Sequence, residues 1–144
     1  MSRVIQTGST PAKRRHAHMR SCAEVIRLLA QRPAFEDEEK DMVGFLVFCL
    51  RGIHRTIDES AQTWDERNYW KKAEALRDKW RWTVKTAETL EHIVRHDRWS
   101  GVADVLVGLI PYVDHIKVTT ITRDADWWCG ARRALLDGAE HQPT

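Results

Sequence analysis

Apolar residues along this chain recur at intervals of three and four, the mark of helices that bury one stripe. Cys22, Val25, Ile26 and Leu29 open the pattern and Pro33 closes it, predicting a short first helix. From Met42 the stripe continues through Leu46, Cys49, Ile53, Ile57 and Trp64, a seam of the bundle type. Val43, Phe45, Val47 and Phe48 fill its other sides, which places residues 42–50 at the centre of the fold. Five acids between Glu36 and Asp41 stand where the first turn of this second helix forms, and carboxylates there favour the helix dipole.

Residues 63–68 are a polar interruption, and Asp65 suits the N-cap of a third helix. Its seam reads Tyr69, Ala73, Leu76, Trp80, Val84, Ala87, Leu90 and Val94, carrying it to about Asp97. At ~1.5 Å per residue it spans roughly 45 Å. Ser100-Gly101 ends it. Val102, Val105, Leu106, Leu109, Val113, Ile116 and Thr120 then predict a fourth helix, which Pro111 kinks or splits. Residues 115–122 are rich in β-branched side chains and suit a strand as well, but no partner strand is visible, which favours helix. A last helix runs from Asp124 to Leu136 and stops at Gly138. The expected fold is all-α: a bundle of four to six helices, with the second and third forming a long central antiparallel hairpin.

A chain of 144 residues fits one domain, and 42% apolar with 31% charged residues supplies a core. No apolar run is long enough to span a bilayer, so no membrane association is expected. The N-terminus carries no signal-like apolar stretch, and Cys22, Cys49 and Cys129 are odd in number and scattered. Both features point to a cytoplasmic protein with reduced thiols. The net charge of +2 conceals an asymmetry: residues 1–23 hold Arg3, Lys13, Arg14, Arg15 and Arg20 and no acid. Residues 1–20 therefore read as a flexible basic arm, 21–138 as one helical domain and 139–144 as a disordered tail.

Four constellations bear on function. Lys13, Arg14, Arg15 and Arg20 are undiluted by acids and suit the phosphates of a nucleic acid. Arg77, Lys79, Arg81 and Lys85 surround Trp80 and Trp82, an interleaving that grips phosphates and stacks bases, although Glu74, Asp78 and Glu88 dilute the charge. Trp82, Thr86, Thr89 and Ile93 form a second stripe opposite the main seam of the third helix. Such a face contacts another part of the protomer or, across a dimer, a second copy. His92 and His96, four apart, are a metal-ligand pair. A hairpin turning near Asp65 would bring Glu36 and Glu39 beside them as further ligands. Glu36-x-x-Glu39 resembles half of the magnesium site of all-helical nucleotide pyrophosphohydrolases. The second half is missing, since Glu59 is followed by Gln62 and Glu74 by Arg77. His54 and Asp58 at i,i+4 suit a structural pair.

There is no Gly-rich phosphate loop, no serine elbow and no Cys-x-x-Cys pair. The leading expectation is a small helical interaction or regulatory protein, without catalytic activity or cofactor, acting as a homodimer. A nucleic-acid-binding accessory protein using the basic arm comes second, and a metal-dependent hydrolase third.

Overall fold

In the computed structural model, which describes residues 9–141, helices alone carry the structure. Helices of ten residues or more are α1 (Pro11–Gln31), α2 (Asp37–Glu66), α3 (Trp70–Lys79), α4 (Arg81–Arg95) and α5 (Val102–Val113). Two short ones follow, α6 (Ala125–Trp128) and α7 (Ala131–Leu136), and Trp99–Gly101 forms a 3-10 turn. No strand occurs among the described residues, and no described helix is long and apolar enough to cross a membrane.

The segment that is apolar on every side becomes the axis. Every residue from Met42 to Leu50 is buried, and α1, α3, α4, α6 and α7 all pack against α2. Full burial of one such aliphatic side chain is worth about 1.5–3 kcal/mol, so this helix anchors the rest. Its N-terminus is closed by Glu39, whose carboxylate accepts the Glu36 N–H at 2.8 Å.

Residues 11–20 of the basic segment are helical. Pro11 occupies the first helical position, and the Thr10 hydroxyl caps the Lys13 N–H at 3.1 Å. Thr-Pro is a start signal that the lack of an apolar period obscured. Residues 11–20 are thus the first half of α1 rather than a mobile arm. Arg14 pairs with Glu59 at 2.7 Å, and Met19 is buried, so this half is fastened to α2. Residues 1–8, including Arg3, lie outside the described residues.

Asp65 caps nothing; it sits in the last turn of α2 and pairs with Arg77 at 2.8 Å. The turn between α2 and α3 includes Asn68, whose φ of 64° is left-handed. The long third helix is broken at Trp80. There φ and ψ are −108° and 12°, and the buried Thr83 hydroxyl donates to the Trp80 carbonyl at 2.7 Å. Pro111 does not split α5, which continues for two residues beyond it to Val113. Residues 115–122 are neither helix nor strand. Their backbone is satisfied by side chains instead: Arg27 donates to Ile116 O at 2.8 Å and Arg20 to Thr120 O at 2.7 Å. The last helix divides at Gly130, where φ is +81°, into α6 and α7. The tail is docked as far as it is described: His141 Nε2 lies 2.8 Å from the Trp127 carbonyl, and its ring packs on Phe48. Residues 142–144 lie outside the described residues. Cys22, Cys49 and Cys129 are unpaired.

Candidate functional site

The four metal candidates are separated. Glu39 is buried and bound by Arg32 at 2.9 Å, and Glu36 sits at the N-cap of α2. His92 and His96 stack on each other with ring centroids 4.1 Å apart, exposed on α4. The register explains the failure. Arg51, not Glu39, pairs with Glu91. At ~1.5 Å per residue the two positions are roughly 18 Å apart along α2. Among the described residues no group of three His, Cys, Asp or Glu side chains could hold a metal ion. His54 and Asp58 do meet, at 3.3 Å, as a partly exposed pair.

The second stripe of the third helix is covered only in part from within the protomer. Trp82 stacks on Tyr112 of α5 with centroids 4.1 Å apart and planes 13° from parallel. Ile93 is buried, while Thr86 and Thr89 line a shallow hollow against α5. An intersubunit contact is not needed to account for Trp82 and Ile93.

The basic residues of the first segment divide by partner. Lys13 is exposed. Arg14 is neutralised by Glu59, and Arg20 by Glu24 at 2.6 Å. Arg15 is different. Its guanidinium bonds only neutral groups, the Thr56 and Ser60 hydroxyls at 3.1 Å and the Thr56 carbonyl at 3.3 Å. Burial lowers its pKa, with no carboxylate to oppose the shift. A guanidinium of this kind favours an arriving anion.

Arg15 also lies over the Trp80 ring, 5.6 Å from its centroid, which joins two clusters far apart in sequence. Around them opens a cleft of about 680 Å³, lined by Arg15, His16 and Arg20 of α1, Lys79, Trp80 and Trp82 of the α3–α4 junction, and Tyr112 and His115 at the end of α5. Trp80 and Trp82 stack at 5.9 Å, so the three rings form one column. No carboxylate lines the cleft. The helix break at Trp80 makes this arrangement, because it turns Lys79, Trp80 and Trp82 together toward α1.

Glu24 is the group that the periodicity gave no reason to single out. It is fully buried and accepts from Arg20, from the Thr122 hydroxyl, and from the Thr122 and Arg123 amides at 2.6–2.8 Å. Burial raises its pKa, but these donors outweigh burial and leave it at about 2. The carboxylate thereby holds Thr122 and Arg123 against α1 and positions Arg20, which lines the cleft.

Comparison with protein-family models, with curated proteins and with solved structures finds no match to this chain.

Proposed function

We propose that the chain is a non-catalytic binding protein whose working surface is the cationic, aromatic cleft between α1, the α3–α4 junction and α5. Its ligand carries a flat ring and negative charge together. One observation carries this reading: the lining combines Arg15 and Lys79 with three stacked rings and no carboxylate. Tyr112, the end ring of the column and 41% exposed, offers stacking worth about 1–3 kcal/mol per base, and the unneutralised guanidinium supplies the anion contact. Titration with a nucleoside diphosphate, followed by tryptophan fluorescence, tests it. Saturable quenching that Lys79→Glu weakens about tenfold is expected for a lost charge contact. An unresponsive protein overturns the reading.

A second reading, self-association, is favoured by a different surface. Val107 is 65% exposed and Ile110 46% exposed on one side of α5. Beside them lies an apolar groove of about 480 Å³ whose walls include Leu29, Phe35 and Trp99. A homodimer would use this face instead of the partly covered Trp82 stripe. Light scattering should then report twice the mass of the chain, and Val107→Asp should return the monomer. A monomer throughout removes this reading. We also read α2 with α3 and α4 as the long antiparallel hairpin, supported by the Asp65–Arg77 and Arg51–Glu91 pairs.

A further inference from the structure

We infer that the cleft is one end of a longer groove that takes a single strand of nucleic acid, an inference that rests on the cleft being a site for anionic, ring-bearing ligands. A second hollow of about 320 Å³ adjoins it. The two share Trp82 and Tyr112, so the stacked pair stands between them as a common wall. Lys85 lines the second hollow, with Thr86 and Thr89 beside it, and again no carboxylate does. The nearby Asp78 is already held by Arg81.

Length separates a strand from a single nucleotide. Lys79 lines the cleft and Lys85 the second hollow, on either side of the Trp82–Tyr112 pair. A strand carries several phosphates and can reach both cations at once. A mononucleotide would leave Lys85 unused. Tyr112 is 41% exposed, which leaves ring surface for a base. Duplex bases keep their faces stacked on one another and cannot use such a ring, so the groove selects unpaired strands. Sequence preference should be weak, because every base has a face to stack.

Fluorescence anisotropy with labelled oligothymidylates of increasing length, set against thymidine monophosphate and a duplex of equal length, tests the inference. Affinity should rise over the first few nucleotides and then level off, with the duplex the weaker ligand. With Arg15, Lys79 and Lys85 on phosphates, the logarithm of affinity should fall with that of salt at a slope of about −2. Tyr112→Ala should weaken the strand about tenfold or more. Lys85→Glu, on an exposed position, should weaken strands while leaving the monophosphate unchanged. Strands that bind no tighter than the monophosphate, or are indifferent to Lys85→Glu, overturn the groove but leave the cleft reading standing. If neither strand nor monophosphate binds, both fall.

Discussion

At the scale of single residues, Glu24 shows how much a buried charge depends on remote partners. Its donors Thr122 and Arg123 lie about a hundred positions away in sequence. Nothing in the local pattern distinguishes it from a surface acid of α1. Its folded pKa of about 2 lies below the ordinary value of 4.5, so it is the depressed case. It adds stability above about pH 4.5, and that contribution disappears as pH falls toward 2. The shift corresponds to roughly 3 kcal/mol. Glu24→Gln should therefore cost about 2–4 kcal/mol near neutral pH, since it leaves Arg20 and Arg123 without their anion. Urea unfolding at several pH values checks this. The variant should also lose much of the parent's acid-induced weakening below pH 4.5, and a parallel pH profile would refute the assignment.

Individual elements were legible where the apolar period is strong and opaque where a break interrupts it. The seam from Met42 to Ile57 forms as its spacing demands, and Met42, Leu46, Ile53 and Ile57 are buried. Trp82 stacks on Tyr112 and Ile93 is buried, and periodicity cannot say that α5 covers Trp82. The break at Trp80 interrupts an unbroken apolar period, and the register that defeats the metal site rests on Arg51 meeting Glu91. Gly44 is likewise an element-scale feature. A Cβ there would stand 2.9 Å from the backbone N of Arg132, where α7 crosses α2. Alanine would improve helix propensity by about 1 kcal/mol. Backbone cannot rotate away as a side chain can, so the clash should prevail. Gly44→Ala is expected to destabilise by roughly 1–3 kcal/mol. A thermal melt that rises would show that α7 yields freely.

For the whole molecule, the consequential change is that the acid-free basic segment is part of the body. Read from composition, it is an appendage that could be removed to test nucleic-acid binding. In the structure its residues 11–20 cover α2, and the cleft exists only because they do. Removing residues 1–20 would strip Arg14 from Glu59, Arg15 from Thr56 and Ser60, and Arg20 from Glu24. It would also uncover Gly52, against which the His18 ring lies, and take away buried Met19. Glu24 would then be a buried carboxylate short of one cation, an arrangement that costs several kcal/mol by itself. For a chain of this length each kcal/mol moves the melting point by about 3–5 °C. The truncated chain should melt roughly 15–20 °C lower, or fail to fold cooperatively, in a far-UV circular dichroism scan. Loss of ligand binding in such a truncation would then say nothing about phosphates, which is why point substitutions in the cleft are the informative variants. If the shortened chain instead melts with the full one, residues 11–20 are the loose arm that their composition suggested, and the cleft has lost its α1 wall.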